Sequence, residues 1–428
     1  MSPMQSISFL SEEASDDTKT LHFDAWLRPR SLALAGCVNE LFAELPLPEI
    51  TAGRSHRKDS LQRRMECLAA LTTNVALLSL SPAQYDGLAV PLKNSKMNRY
   101  QPKAFNADIL RSVVAGLGKL GLVVHDSSVY KQRRTVLHPT DAFRKRLKSY
   151  GVTISAIGRT AGRETIELSV DRYGPQSKET TDYSDTEQTI KLRGEMAAIN
   201  RMLAKTEIRY DGDMLPPGFM VRKFQLHSQE APPTFDLHGR LYGGTWQNLP
   251  KEKRYLLSVN GESLADLDYS SMFIQLAYHV AGQCAPQGDL YAIPGLELHR
   301  KAVKSALVSL LFRKTPAARL PTEVRKQLPL DWDMPRFKAA AAVHHAPIAH
   351  LFDTNVGHRL MALEGNILVD VLLRLTNMDV PALPMHDGIM VPQSRKHEAQ
   401  RVMEEVSAEH LGRALPVVEK PIRKPPSK

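Results

Sequence analysis

The sequence predicts an α+β protein, helical in its N-terminal half and built around antiparallel strands in its C-terminal half. Three stretches predict it. Residues 23–80 carry apolar positions at helical spacing, with one basic interruption around 54–64. Residues 106–148 read as helix, strand, basic hairpin tip, strand, helix. The run Pro384-Met385-His386-Asp387-Gly388-Ile389-Met390-Val391-Pro392 reads as strand–turn–strand, because its flanks are apolar and the Asp-Gly step favours a tight turn.

Composition bounds the class. A chain of 428 residues has room for two or three domains, and its 43% hydrophobic content fits an ordinary globular protein. No apolar run approaches the roughly 18 residues needed to span a bilayer, so no membrane partner is expected. Residues 1–18 lack a basic region followed by an apolar core, so no secretory signal is expected. Cys37, Cys67 and Cys284 are too far apart for a disulfide framework or a paired zinc spacing, which makes a reducing cytoplasm the expected location. The net charge of +10 and pI near 9.4 point to a polyanionic partner. Basic residues cluster at 54–58, 131–134, 144–148 and 423–428, although any one cluster alone reads as a solvated face.

In chain order, residues 1–20 are polar and acidic and read as a mobile tail. Residues 21–150 form the first expected domain. Within it an amphipathic helix runs over 106–120, a strand begins at 121–125, and a second strand returns over 135–138. Thr140 is the expected N-cap of the next helix. This is the order of a winged helix-turn-helix, in which one helix can enter the major groove while the wing touches phosphates. On that reading Lys131, Arg133 and Arg134 at the hairpin tip contact DNA; the alternative is a packing domain with a solvated hairpin. Residues 152–157 and 164–170 read as a strand pair, and the polar stretch 174–186 as a linker and domain boundary. A helix is expected over 187–204, from apolar residues at Ile190, Leu192, Met196, Ile199, Met202 and Leu203.

The C-terminal half carries the chemistry. An apolar strand leads from Leu264 into Asp266-Leu267-Asp268-Tyr269, and a helix-like segment continues through His279. Arg300, Lys304, Val308 and Phe312 recur every four residues, so a helix presents them along one face. Two cations and an aromatic on that face could hold a triphosphate and stack on a base. Alone, the pattern reads first as a solvated basic helix, and His386-Asp387-Gly388 alone first as a self-capped surface turn.

Together these pieces resemble the family A DNA polymerases and the related single-subunit phage RNA polymerases, over about residues 235–395. Asp268-Tyr269-Ser270 resembles the start of motif A, with His279 later in its helix. Arg300, Lys304 and Phe312 resemble motif B, and His386-Asp387 resembles motif C. Gly239-Arg240-Leu241 and Gln247-Asn248-Leu249-Pro250 resemble the segment that tracks the primer–template minor groove, and Glu364-Gly365-Asn366 the Gln-Gly segment. The resemblance implies a compact right hand over 211–420, with an antiparallel palm sheet and small helical fingers. It implies a reduced thumb-like helix within the connecting region 151–210, ahead of a basic tail at 421–428.

It further implies template-dependent nucleotidyl transfer. Asp268 and Asp387 would be the catalytic metal ligands, with the backbone carbonyl of Tyr269 beside them and Asp266 in a supporting role. The expected cofactor is a pair of Mg²⁺ ions, for which Mn²⁺ could substitute, since oxygen ligands and substrate phosphates suit them. Arg300 and Lys304 would bind the nucleoside triphosphate, with Phe312 and Phe273 beside its base and sugar. Arg240, Gln247, Asn248 and His386 would contact primer or template.

Several positions depart from the family. Phe273 stands where its DNA polymerases have Glu, Phe312 lacks the usual Tyr hydroxyl, Val308 replaces an aromatic, and Arg313 replaces Gly. These departures leave the sugar choice open, with dNTPs favoured because Phe273 is bulky. The implied function is a small DNA polymerase of a phage, plasmid or mobile-element replication system. The alternatives are an RNA polymerase or primase using NTPs, and a non-catalytic DNA-binding regulator on a polymerase-like scaffold. His344, His345 and His350 lie close together but lack further ligands, so a packed or phosphate-facing role is expected over a metal site.

Overall fold

The fold is mixed α+β with largely antiparallel sheets, as seen in a computed structural model that describes residues 19–46, 58–83, 85–93, 99–126, 135–171 and 178–422. In the N-terminal part, strand Tyr85–Val90 lies between Lys19–His22, which it pairs in parallel, and Thr135–Pro139, which it pairs antiparallel. Val123–Asp126 completes this sheet at its far side. Helix Ala107–Lys119 buries Leu110, Val113, Val114 and Leu117, the three-and-four spacing of a core-facing stripe. Asn106 caps it by accepting from the backbone N–H of Asp108 and Ile109, at 2.8 and 3.2 Å. Thr140 caps helix Asp141–Ser149 by accepting from Phe143 at 3.4 Å. The expected order of helix, strand, strand, helix is therefore present. The hairpin tip with Lys131, Arg133 and Arg134 lies outside the described residues, as do 1–18 and the basic tail residues 423–428.

One pairing differs from expectation. Strand Ile157–Arg159 pairs antiparallel with Leu27–Pro29, while Ile166–Asp171 pairs with Val221–Gln225 in parallel and with Lys178–Thr180. The two expected strands thus do not pair with each other. Each finds its partner elsewhere in the chain, and a local apolar pattern does not encode such a partner. Sheet order His238–Tyr242, Val221–Gln225, Ile166–Asp171, Lys178–Thr180 also carries strands from both sides of the expected linker.

The sheet that matters for function runs Asp213–Met214, Ile208–Tyr210, Leu257–Val259, Glu262–Tyr269, Gly388–Pro392, Leu383–Met385. Its central strand Glu262–Tyr269 is buried continuously from Leu264 to Tyr269, with helices packed around it, so Asp266 and Asp268 are carboxylates inside a core. The first residues of that strand pair Leu257–Val259, and its last four pair Val417–Lys420 along the same edge. Helix Gly357–Asn377 crosses strand His238–Tyr242 and packs against helices Glu187–Lys205, Met272–Val280 and Lys396–Leu411. Its crossing with the strand is made by two glycines. A Cβ on Gly365 would lie 2.3 Å from the Gly239 carbonyl oxygen, and one on Gly239, whose φ is +75°, 3.2 Å from Ala362 Cα. Among the described residues, no helix is long and apolar enough to cross a membrane.

Candidate active site

The register of the central sheet sets the site. Asp268 stands opposite Gly388, and Met385 pairs Gly388 across a two-residue turn made of His386 and Asp387. The Asp387 carboxylate therefore lands beside that of Asp268, close enough for the two to interact directly. The turn is centred one residue earlier than the Asp-Gly step suggested. His386, at φ +40°, supplies the positive φ that such turns require. Gly388 has a different task, since a Cβ there would sit 2.3 Å from the Leu267 carbonyl oxygen and 3.0 Å from Asp268 Oδ1. Glycine at 388 is what lets the hairpin approach the central strand closely enough to bring the carboxylates together.

Anchors fix this hairpin from outside. The indole N–H of the buried Trp246 donates to the Pro384 carbonyl at 3.0 Å, and Gln247 Nε2 donates to the same oxygen at 3.3 Å. Tyr269, next to Asp268, is pinned by its hydroxyl donating to the Met403 carbonyl at 2.7 Å.

Electrostatically the pair is asymmetric. Burial and the neighbouring Asp387 charge push the Asp268 carboxyl up to about 8. Burial also opposes ionisation of Asp387, but Lys420, Arg240 and Lys304 outweigh it and hold that carboxyl below the ordinary range. Lys420 donates to Asp268 Oδ2. Asp268 Oδ1 is buried without a hydrogen-bond partner. Asp266 lies two residues back on the same strand face, 3.9 Å from Arg254, and burial raises its carboxyl too.

These residues fit divalent cations. The buried Asp268 carboxylate meets the half-buried one of Asp387, one Asp268 oxygen lacks any donor, and an ammonium already sits on its other oxygen. Among the described residues, no group of three or more His, Cys, Asp or Glu side chains that could hold a metal ion is found, here or elsewhere, so this candidate rests on two carboxylates.

The cationic helix Arg300–Phe312 points its predicted face at this cluster only in part. Lys304 is close enough to stabilise the Asp387 charge. Arg300 is half-exposed, bonds Asp289 at 2.7 Å and lies over the Tyr291 ring. Phe312 packs edge-on against Phe273 and His358, at 5.5 and 5.3 Å between ring centroids. Val308 and Arg313 are buried, and the Arg313 backbone carbonyl accepts from Asn355 at 2.6 Å.

The residues expected on primer or template separate into two groups. Arg240 and Gln247 are engaged inside the protein. Arg240 makes a two-pronged contact with the fully buried Glu364, at 2.5 and 3.1 Å, and its guanidinium lies 5.4 Å from the Phe273 ring centre. Gln247 bonds the backbone of residues 241, 243, 244 and 384. Asn248 is exposed and meets the Tyr85 hydroxyl. It lines a groove of about 2390 Å³ between the N-terminal and C-terminal parts, together with Arg159, Lys223, His238 and Tyr242. The His386 ring is tilted against that of Tyr242, 5.5 Å between ring centres. His345 is packed, its ring bonded to the Leu290 carbonyl at 2.9 Å and the Tyr278 hydroxyl at 3.1 Å.

Two participants escaped the sequence reading. Lys420 belongs to no motif, and its only signal is a lone lysine closing the short β-branched run Val417-Val418-Glu419. The Arg240–Glu364 partnership joins two segments that each resembled something else.

No family model matches the sequence, and no curated protein matches it. Among solved structures, the chain is similar to the POL domain of Pol1 from M. smegmatis in complex with DNA primer-template and dNTP. The identity is 13% and the TM-score 0.27, covering 92% of this chain and 69% of that one. A likeness at that level transfers no role to any residue here.

Proposed function

We propose that this protein is a template-dependent nucleotidyltransferase, a small DNA polymerase that adds dNTPs to a 3′-hydroxyl in a phage, plasmid or mobile-element replication system. The observation that carries the reading is the pairing of the buried Asp268 with the half-buried Asp387, where one Asp268 oxygen has no partner. Buried like charges are costly, and a fold retains them where a function uses them. Asp268 and Asp387 would hold two divalent ions, which when bound supply the charge that activates the 3′-hydroxyl and steadies the transferring phosphoryl group.

The protein's own part is positioning. Lys304, beside Asp387, is placed to meet the phosphates of an incoming nucleotide, and Arg300 can join it by exchanging Asp289 for a phosphate. The wall formed by Phe273 and Phe312 lies next to this space and presents apolar surface to a base or sugar. The groove lined by Asn248, Lys223 and Tyr242 would hold nucleic acid, and Tyr242 on its wall touches His386, the residue before Asp387.

The test supplies purified protein with primed and unprimed DNA and RNA templates, and with dNTPs and NTPs in separate reactions. Mg²⁺-dependent extension of primed DNA by dNTPs is expected. Synthesis from NTPs on an unprimed template would make the protein an RNA polymerase or primase instead, and no synthesis under any combination would sink the enzymatic reading.

A further inference from the structure

The carboxylate pair already holds a cation. Lys420 stands opposite Asp266 in the pairing of Val417–Lys420 with the central strand, and its ammonium reaches across to donate to Asp268 Oδ2. The two partners differ in freedom. The Lys420 side chain keeps 40% of its surface exposed, whereas that of Asp268 keeps 8%. The ammonium therefore has solvent to swing into, and the carboxylate has nowhere to go.

Lysine suits an exchangeable role. It is a point charge on a flexible stem that makes one contact, unlike the planar fork of arginine, which locks onto both oxygens of a carboxylate. An ammonium and a divalent ion on the same carboxylate oxygen would repel at contact distance.

We propose that Lys420 is a built-in placeholder cation. It steadies Asp268 when no divalent ion is bound and leaves Oδ2 when one enters, and so sets the divalent concentration at which the site fills. The inference rests on the reading of Asp268 and Asp387 as metal ligands, and the experiment separates the two claims.

Mn²⁺ binding to the full chain is measured by the loss of the free-ion electron paramagnetic resonance signal, for wild type, Lys420→Met, Lys420→Arg and Asp387→Asn. Lys420→Met keeps the stem and removes the charge, so Mn²⁺ should bind about tenfold more tightly or better. Lys420→Arg should bind several-fold more weakly than wild type, because the fork is harder to displace. Asp387→Asn should lose most of the binding. In chelator, Lys420→Met should melt below wild type, and added Mn²⁺ should raise its melting temperature by more than it raises that of wild type. Equal or weaker Mn²⁺ binding by Lys420→Met, with Asp387→Asn still defective, overturns the placeholder and leaves the ligand assignment standing. If Lys420→Met does not fold, unchanged binding by Lys420→Arg overturns it equally. No Mn²⁺ binding by wild type or by either lysine variant overturns the ligand assignment, and the placeholder with it.

Discussion

The protein buries two clusters of charge in its C-terminal half and completes them differently. At the crossing of helix Gly357–Asn377 over strand His238–Tyr242, Arg240 grips both oxygens of Glu364. Opposite charges meet there, the glycines at 239 and 365 let the backbones close in, and the hydrogen bonds of the pair run between its own two members, although the Arg240 charge also reaches Asp387. At the end of the central strand, like charges meet instead. Asp268 and Asp387 repel, one oxygen is left over, and the single ammonium on the other comes from a half-exposed lysine. Opposite charges paired by two hydrogen bonds account for themselves as structure, whereas like charges brought together point to a function as their reason.

Four experiments press on that contrast. On the proposed function, Asp268→Ala and Asp387→Ala should each lower primer extension by about a thousandfold or more, since each would remove a ligand acting on the transition state. Both should still fold, Asp268→Ala melting at or above the metal-free wild type and Asp387→Ala somewhat below it, since the surrounding cations stabilise the Asp387 charge. An active Asp387→Ala protein would erase the distinction. Glu364→Ala should do the reverse and unfold at lower urea, with a loss of about 3–5 kcal/mol from stranding a buried guanidinium. A stability unchanged in that variant would show that the crossing does not depend on its ion pair.

The pH dependence should expose the unfinished cluster. The folded-state carboxyl of Asp268 lies above its unfolded value, so the native state holds the proton more tightly. Its contribution is complete in acid and is lost as pH rises from about 4 through about 8. Urea midpoints in chelator should therefore fall over that window, and Asp268→Asn should flatten the fall.

His345 supplies a smaller, opposite control. Burial, with His344 beside it, lowers its imidazole to about 4, so the folded state prefers it neutral. Its contribution is complete above pH 6.5 and is lost as pH falls towards 4, by at most about 3 kcal/mol. His345→Gln should remove that acid limb and leave the alkaline one untouched.

What could be read from sequence was what is local. Asn106 and Thr140 announce helix starts because a cap acts within three residues, and the face through Arg300, Lys304 and Phe312 follows from helical spacing. The two carboxylates stood out as polar residues interrupting apolar runs. The missing parts were long-range. The Gly388 role depends on Leu267 across the sheet, Glu364 neutralises Arg240 from another element, and the strands at 157–159 and 166–171 take distant partners. Lys420 is the extreme case, because nothing near it in sequence indicates a carboxylate opposite.

The position of strand Val417–Lys420 also bears on how the molecule is made. The central strand borrows one neighbour from Gly388–Pro392 and another from Val417–Lys420, both well over a hundred residues downstream. Contacts of such sequence separation form slowly, after the loop-closure entropy has been met. A nascent chain that has emerged only as far as the helix Arg300–Phe312 holds Asp268 without its partner carboxylate, its hairpin or its lysine. The capacity for chemistry would thus arrive late, with the closing of the sheet, and truncated products ending before that point should be inert.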